Sequence, residues 1–339
     1  MKRKQIKFRI SSDELDKKKN LNFLIRTMKN LYIIGNGFDK HHDLPSGYWD
    51  FHKWLQEKNA ELVEQIDELY DYSDNLWGNF EVELGNLDIP SVASDIYSEN
   101  PADESSDHYE RTFHAGAIVA GDTVGEIYNK IRAMFPEWVK SLPAANTCKK
   151  IKIDKEESFF ITFNYTDTLL DVYNIPMDDI LFIHGRAADS ESRYLVLGHG
   201  KSREEIQQEA EANFDEETHP AFIQTVEAVE RQVNMMKKDT SRIIADNQST
   251  WEATKDVQHI YCYGLSMSMV DMPYLQKIVA SIDAQHVIWH VNVFGNNDEE
   301  IDAQKANKMS ILSSLGIDDE LIEFCTLDEI QVYKQYALF

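Results

Sequence analysis

Leu31-Tyr32-Ile33-Ile34-Gly35-Asn36-Gly37-Phe38-Asp39 is the run of residues from which the fold class of this chain is predicted. Its four successive apolar residues lack the alternation of a half-exposed strand and are typical of a strand that is buried on both faces. The glycines at 35 and 37 close that strand in a tight turn, and residues 46–70 then carry apolar residues at helical spacing. The stretch therefore predicts a central strand followed by helices, the repeating unit of an α/β domain.

Further apolar runs repeat this pattern along the chain. Runs with strand character occupy residues 159–163, 180–183, 194–197, 259–263 and 287–293. The first three of these stop at Asn164, at His184-Gly185 and at Gly198-His199-Gly200. Parallel strands end at one edge of an open sheet, and ligands bind at that edge. We therefore predict an α/β fold, a Rossmann-like three-layer parallel sheet, with these polar residues close together at its carboxyl edge.

Three segments are expected to lie outside the sheet. Residues 1–27 carry nine basic and three acidic residues without an organised apolar pattern, which predicts a flexible basic tail. Met28 is an equally good candidate for the natural start. Residues 91–115 are rich in Ser, Asp and Glu and indicate a solvated loop. Residues 202–257 favour helix and carry no strand signal, so a single α/β domain over 28–339 is expected to hold a helical insertion or lid at about 202–257.

The charge of the chain limits its expected partners. Its 339 residues include 34 Lys and Arg against 59 Asp and Glu, a net charge of −25. A sequence-independent grip on nucleic-acid phosphates would act against this field, so nucleic acid is not an expected partner. The apolar stretches are too short for a membrane span. The three cysteines form no CxxC pair, which favours a reducing, cytoplasmic location.

Common catalytic motifs are missing from the sequence. It holds no GxSxG elbow, no Walker A motif and no HExxH pair, which disfavours an α/β-hydrolase, a P-loop NTPase and a zinc hydrolase. Four histidines, His41, His42, His52 and His199, lack metal-ligand spacing, so no metal is expected.

The remaining candidates are the residues that follow the predicted strands. Backbone N–H groups of the turn from Gly35 to Asp39 can face an anion. Asn164 can both donate to and accept from a ribose hydroxyl or a water, and His184 can act as a general base. Each also has a structural interpretation, as a tight turn, a helix cap and a core histidine. The functional interpretation depends on their convergence.

These motifs together resemble the AbiH family of bacterial phage abortive-infection proteins. The resemblance covers most of the chain from Met28 onward and implies a role in antiphage defence. It rests on the opening strand and turn, on Leu44-Pro45-Ser46-Gly47-Tyr48, on Ile161-Thr162-Phe163-Asn164-Tyr165-Thr166-Asp167-Thr168-Leu169, on Ile183-His184-Gly185 and on Gly198-His199-Gly200.

The same motifs are distantly similar to SIR2-like (sirtuin-type) NAD-binding domains. Those domains open with Gly-Ala-Gly and a later Ile-Pro, and here Gly35-Asn36-Gly37 precedes Leu44-Pro45 at the same spacing. Their Thr-Gln-Asn-Ile-Asp resembles residues 162–167, their His-Gly resembles His184-Gly185, and their Gly-Thr-Ser-Leu resembles residues 264–267. The chain departs from the pattern at Asn36 and Asp39 and lacks the four zinc-ribbon cysteines. These departures argue against protein deacylation and leave NAD cleavage.

The resemblance implies a set of site residues and a ligand. NAD⁺ or a related nucleotide is the expected substrate or ligand, with no cofactor required, and an NAD⁺ glycohydrolase is the implied enzyme. The implied catalytic residues are Asn164, His184, Asp39 and Asp167. The implied nucleotide-binding residues are Gly35, Asn36, Gly37, Phe38, Pro45, Tyr165, Thr166, Gly185, Arg186, Gly264 and Ser266. Arg186 and Lys201 are expected to offset phosphate charge. A second copy of the chain or a phage-derived trigger is the expected partner.

Two other functions remain open at this point. A nucleotide-binding sensor or interaction module could use the same residues without turnover. A nuclease effector is the third hypothesis, weakened by the acidic charge and by the missing metal constellation.

Overall fold

The computed structural model describes residues 28–71, 73, 75–105, 107–189, 195–212 and 214–332, so the predicted tail at 1–27 lies outside it. Its six strands form one sheet in the order β3-β2-β1-β4-β5-β6, and every neighbouring pair is parallel. The strands are β1 (Asn30–Ile34), β2 (Ser158–Thr162), β3 (Ile180–Phe182), β4 (His259–Tyr263), β5 (Ile288–Asn292) and β6 (Ile322–Cys325). This order is that of a doubly wound sheet, and it confirms the predicted Rossmann-like α/β fold.

The helices fall into a set that flanks the sheet and a set that forms a separate bundle. In chain order they are α1 (Asn36–His41), α2 (Tyr48–Lys58), α3 (Ala60–Leu69), α4 (Phe80–Glu83), α5 (Ile89–Glu99), α6 (Tyr109–Phe113), α7 (Ala115–Ser141), α8 (Thr168–Asp171), α9 (Arg203–Ala210), α10 (Pro220–Met235), α11 (Thr240–Asp246), α12 (Gln248–Ala253), α13 (Met272–Val279) and α14 (Asp298–Ser314). Within the described residues, no helix combines the length and the apolar character that a membrane span needs.

Strand β1 is central because both of its faces are buried. Leu31 and Ile33 pack into a core beneath one face, formed with β4, β5 and α13. Tyr32 and Ile34 point to the opposite face, where they pack with residues of β2 and α8. Successive side chains of a strand point to opposite sides, so an unbroken apolar run needs an apolar layer on each. The prediction from residues 31–34 is confirmed.

A third core belongs to the helical bundle. Helices α2–α7 lie between β1 and β2 in the chain, and α9–α12 lie between β3 and β4. The long helix α7 packs against α10, and α5 packs against α10 as well. Helices α9 and α10 pack with the helices of the β1–β2 connection to form the bundle, whereas α11 and α12 pack into the core beneath the sheet.

The structure differs from the sequence-based expectations in three elements. Residues 195–197 form no strand, because the Val196 carbonyl accepts from the Tyr165 hydroxyl at 2.8 Å while the Val196 N–H donates to the His184 carbonyl at 2.8 Å. This segment crosses the ends of β2 and β3 instead of extending the sheet; Tyr194 lies outside the described residues. Strand β6 was not predicted. Helix α5 replaces much of the expected loop at 91–115, since Asp88 caps it by accepting from the Ser91 N–H at 3.1 Å.

Candidate functional site

A cavity of about 730 Å³ lies at the carboxyl edge of the sheet, beneath the helical bundle. Its sheet side is lined by Asn292, the last residue of β5, and by residues that follow strands: Gly35, Asn164, His184 and Gly264. Its other side is lined by Phe135, Trp138 and Val139 of α7. Strands β1 and β4 are neighbours at which the strand order reverses, and ligands of open α/β sheets bind at that switch point. The cavity therefore lies where the sequence predicts a site.

Two glycine turns form the floor of the cavity. The Gly37 N–H donates to the Gly264 carbonyl at 2.8 Å, and the Gly35 N–H donates to the Tyr263 carbonyl at 2.9 Å. A β-carbon on Gly35 would lie 2.6 Å from the Gly264 oxygen, so this glycine is required by the packing of one turn on the other. The Phe38 N–H also donates within its own turn, to the Gly35 carbonyl at 2.9 Å. These three N–H groups, which were expected to face an anion, have protein acceptors.

Asn36 closes the loop that follows α1. Its amide donates to the Ser46 carbonyl at 2.8 Å, and its side-chain oxygen accepts from the Ser46 hydroxyl at 2.6 Å. Both residues line the cavity. The Asn36 side chain thus fixes the cavity wall beside Gly47 and the start of α2.

Asn164 is held in place from two directions. Its Nδ2 donates to the Gly35 carbonyl at 3.1 Å, and its backbone N–H donates to Thr162 Oγ1 at 3.1 Å. The residue is 5% exposed, and its Oδ1 atom has no hydrogen-bond partner among the described residues. A buried amide oxygen without a partner is costly, so it indicates a group that a ligand or water satisfies.

His184 is the second buried polar residue of the cavity with an unpartnered atom. It is 3% exposed, and its ring lies among the aromatic rings of Phe163, Tyr165 and Tyr274. Its Nε2 has no hydrogen-bond partner among the described residues. Burial, assisted by the charge of Lys238, lowers the pKa of His184 well below its ordinary value. The imidazole is therefore neutral at physiological pH.

Asp39 lines the cavity at the end that is formed by the turn after β1. Its carboxylate accepts from Thr166 Oγ1 and from Thr168 Oγ1, both at 2.6 Å. Burial raises the pKa of Asp39 to about 6, although these two hydroxyls act in the opposite direction. The residue is ionised at neutral pH and titrates close to it.

The structure brings most of the predicted site residues together. The cavity lining includes Gly35, Asn36, Gly37, Asp39, Asn164, Tyr165, Thr166, His184, Gly264 and Ser266. The residues that do not line it are Phe38, Pro45, Asp167, Gly185 and Arg186.

The residues outside the cavity have structural contacts instead. Phe38 is fully buried in the core between sheet and helices, Pro45 is exposed, and Gly185 has a φ of 87° in the turn after β3. Arg186 forms a two-pronged ion pair with Asp167, with N–O distances of 2.6 and 2.8 Å. Lys201 pairs with Glu209 at 2.6 Å. Neither of the two expected phosphate-binding cations therefore faces the cavity.

A charged cluster that the sequence analysis did not predict lies on the bundle side of the cavity. Glu81 of α4 and Asp271, directly before α13, both line it. The Lys238 ammonium, whose side chain is 0% exposed, lies 2.7 Å from Glu81 Oε1, close enough for an ion pair although the two groups are not aligned as a hydrogen bond. Glu81 follows no strand, so nothing in its sequence context marks it. Asp271 could have been predicted from the sequence, because it follows the Gly264 turn at the end of β4.

Asp271 is buried without a directly bonded cation. It is 7% exposed, and it accepts a hydrogen bond from Ser268 Oγ at 3.1 Å. Burial raises the pKa of Asp271 to about 6, partly offset by Lys238. In the described part of the chain, no three His, Cys, Asp or Glu side chains come together as a metal-binding group.

Comparison with known proteins identifies the family. The family model for bacteriophage abortive infection AbiH matches residues 31–293, which include most of the cavity lining and five of the six strands. No curated protein and no solved structure matches the chain. The match agrees with the resemblance seen in the sequence motifs. The chain belongs to the AbiH family and is an abortive-infection protein of antiphage defence.

Proposed function

We propose that this protein binds NAD⁺ or a related nucleotide in the cavity and hydrolyses its nicotinamide–ribose bond, which lowers NAD⁺ in the infected cell. One observation carries the proposal: Asn164 Oδ1 and His184 Nε2 are buried polar atoms without partners, and both residues line the same cavity at the switch point of the sheet. Buried polar atoms usually have a partner in the protein, an ordered water or a ligand, and a ligand in this cavity can supply one for both atoms.

The order of the motifs gives the proposal its choice of ligand. The SIR2-like pattern contributes Gly35, Asn164, His184 and Gly264, and these four residues line one cavity although they are far apart in the chain. A size of about 730 Å³ is within the range of small-molecule and nucleotide sites. The resemblance and the position of the cavity therefore support the same kind of ligand.

The hydrolysis needs few groups from the protein. The bond between ribose C1′ and the pyridinium nitrogen breaks with its electron pair moving to that nitrogen, so nicotinamide leaves as a neutral molecule. The oxygen of a water molecule forms the new bond to C1′, and one water proton passes to the protein and then to solvent. Asn164 Oδ1 accepts from the water or from a ribose hydroxyl and orients it. Neutral His184 accepts the proton as the oxocarbenium-like state collapses.

A cation for the phosphates is available at the rim of the cavity. Lys40 of α1 lines the cavity, is exposed, and forms no ion pair with the described residues. Arg186 and Lys201 are already paired with carboxylates. We assign the contact with the pyrophosphate to Lys40 and to the polar rim at Ser46.

Release of nicotinamide and ADP-ribose from NAD⁺ tests this function. The purified full chain is incubated with NAD⁺ and compared by chromatography with Asn164→Ala and His184→Ala. Asn234→Ala serves as a control, because its amide bonds only within α10 and the residue does not line the cavity. Wild type and Asn234→Ala are expected to release both products, and the two cavity variants are expected to lose this activity while remaining folded.

The same comparison is made in infected cells, where a phage-derived trigger or a second copy of the chain can complete the active state. NAD⁺ is expected to fall in cells that carry wild type and to stay constant with Asn164→Ala. Constant NAD⁺ in protected, infected cells together with an inactive purified protein would refute the glycohydrolase.

A nucleotide sensor without turnover is the second candidate function. The observation in its favour is the lowered pKa of His184, which makes the imidazole a weak base. Under this alternative the cavity binds the nucleotide, NAD⁺ remains intact, and protection from phage survives His184→Gln as long as binding does.

A further inference from the structure

The charges around the cavity are unevenly distributed. The carboxylates of Asp39 and Asp271 are buried in its lining, that of Glu81 is partly buried, and the buried Lys238 ammonium lies beside Glu81. Asp39 has two hydroxyl donors, and Glu81 has its ion pair. Asp271 has one neutral donor, Ser268, and no described basic side chain within ion-pair distance. The bundle side of the cavity therefore keeps an excess of negative charge.

The surroundings of Asp271 increase the effect of that charge. The hydroxyl-bearing rings of Tyr48 and Tyr165 line the same part of the cavity, and burial raises the pKa of both well above the ordinary value. Glu81 and Asp271 each contribute to that rise, which places both carboxylates near these rings. A buried carboxylate acts on a ligand charge more strongly than one at the surface does.

A separate observation indicates a ligand at this end of the cavity. His184 Nε2 is buried and has no described partner, and Lys238 acts electrostatically on both His184 and Asp271. The unpartnered imidazole and the under-compensated carboxylate are thus both within electrostatic reach of one ammonium group. A ligand that occupies this space meets a hydrogen-bonding nitrogen and a negative charge together.

We propose that Asp271, with Glu81 beside it, forms a subsite for a cationic glycosyl group of the ligand, which under the proposed function is the pyridinium–ribose end of NAD⁺. A phosphate at this end would meet like charges, so the ligand lies with its phosphates toward Lys40 at the rim. As the glycosidic bond lengthens, positive charge moves from the pyridinium to the ribose and stays near Asp271. The subsite therefore stabilises the cationic ribose of the transition state as well as the bound ligand.

A subsite for a cation should bind the oxidised dinucleotide more tightly than the reduced one, and this difference in affinity can be measured without any reaction. Carba-NAD⁺ and carba-NADH, in which a methylene replaces the ring oxygen of the nicotinamide ribose, resist hydrolysis. They have the same phosphates and differ in the charge of the nicotinamide ring. Their dissociation constants for the full-length protein are measured by calorimetry at about pH 8, where Asp271 with a pKa of about 6 is ionised.

Wild type is expected to bind carba-NAD⁺ at least about tenfold more tightly than carba-NADH, because a buried charge pair is worth more than an exposed one. Asp271→Asn keeps the side-chain shape and is expected to bring the ratio close to one. Asp328→Asn is the matched control, since this carboxylate also lines the cavity but is 84% exposed, and its ratio is expected to stay near that of wild type.

Equal binding of both analogues by wild type overturns the subsite, and it does so without any variant having to fold. If NAD⁺ is still hydrolysed in that case, the proposed function stands and only the subsite fails. If neither analogue binds and NAD⁺ stays intact in infected cells, both proposals are refuted. An unchanged ratio in folded Asp271→Asn also overturns the subsite.

Discussion

Gly264 and Phe38 are packed so closely that a β-carbon on Gly264 would lie 1.9 Å from the backbone nitrogen of Phe38. Gly264 also has a φ of 71°, a backbone conformation that is unfavourable for residues other than glycine. The turn after β4 is thereby pressed onto the turn after β1, and Asn292 Oδ1 accepts from the Gly264 N–H at 2.7 Å. The interlocked turns set the position of every residue on the floor of the cavity.

Gly264→Ala is expected to destabilise the protein by about 3 kcal/mol or more, because the backbone strain adds to a clash that no side-chain rotation relieves. Denaturant unfolding followed by circular dichroism measures the loss. Gly316→Ala is the matched control: its φ is 88°, but nothing lies within 4 Å of the added β-carbon. It should cost about 1 to 2 kcal/mol, the conformational part alone. Equal losses in the two variants would show that the interlock contributes nothing.

Lys238→Met is expected to lower the free energy of unfolding by about 3 kcal/mol, because it leaves the partly buried Glu81 without its cation. Adding Glu81→Gln removes the uncompensated charge and should restore part of this loss. Thermal and denaturant unfolding of the two single variants and the double variant form a cycle. Additive losses would mean that the 2.7 Å contact between the two groups carries no coupling energy.

The rate of the proposed NAD⁺ hydrolysis is expected to rise with pH through about 6 and then to level off. Asp39 and Asp271 both have a pKa raised to about 6 by burial, so they are largely protonated at about pH 5 and ionised at about pH 8. If a charged Asp271 attracts the cationic end of the ligand, kcat/KM follows its ionisation. Asp271→Asn should lose most of this rise. A profile that is the same in both proteins would assign the titration to another group.

Stability should respond to the same ionisation in the opposite direction. The pKa of Asp271 is raised in the folded state, so the folded protein binds this proton more tightly than the unfolded chain does. The contribution of protonated Asp271 to the free energy of unfolding is therefore fully present below about pH 4 and is lost as pH rises through about 6. Relative to Asp271→Asn, wild type is expected to lose about 2 to 3 kcal/mol of unfolding free energy between those pH values. Urea unfolding of both proteins at each pH gives the difference.

Asp167→Asn tests whether Asp167 is catalytic, as the resemblance implies, or only forms the ion pair with Arg186 that the structure shows. Asp167 pairs with Arg186 outside the cavity, so the variant is expected to lose about 1 kcal/mol of stability and to hydrolyse NAD⁺ near the wild-type rate. Asn164→Ala, assayed beside it, should be inactive. Equal inactivation of both variants would return Asp167 to the catalytic group that the resemblance implies.

Much of the fold could be predicted because strands buried on both faces leave continuous apolar runs in the sequence. Residues 31–34, 159–163 and 259–263 are apolar runs ended by glycine or by polar residues, and each is a strand within one residue of the predicted bounds. The run at 195–197 is equally apolar, but its backbone groups bond to His184 and Tyr165 instead of a strand. Local pattern does not distinguish these cases, since both bury apolar side chains.

The parallel sheet and the AbiH resemblance can be read from the amino-acid sequence alone. So can the convergence of Asn164 and His184, because residues at the ends of parallel strands share one edge whatever the connections do. Which charges face the cavity depends instead on tertiary packing. Arg186 and Lys201 find carboxylates within their own neighbourhoods, whereas Glu81 and Lys238 meet through the packing of two helical segments from different connections. The energy of a charge depends on its burial and its nearest partner, and both are properties of the folded chain.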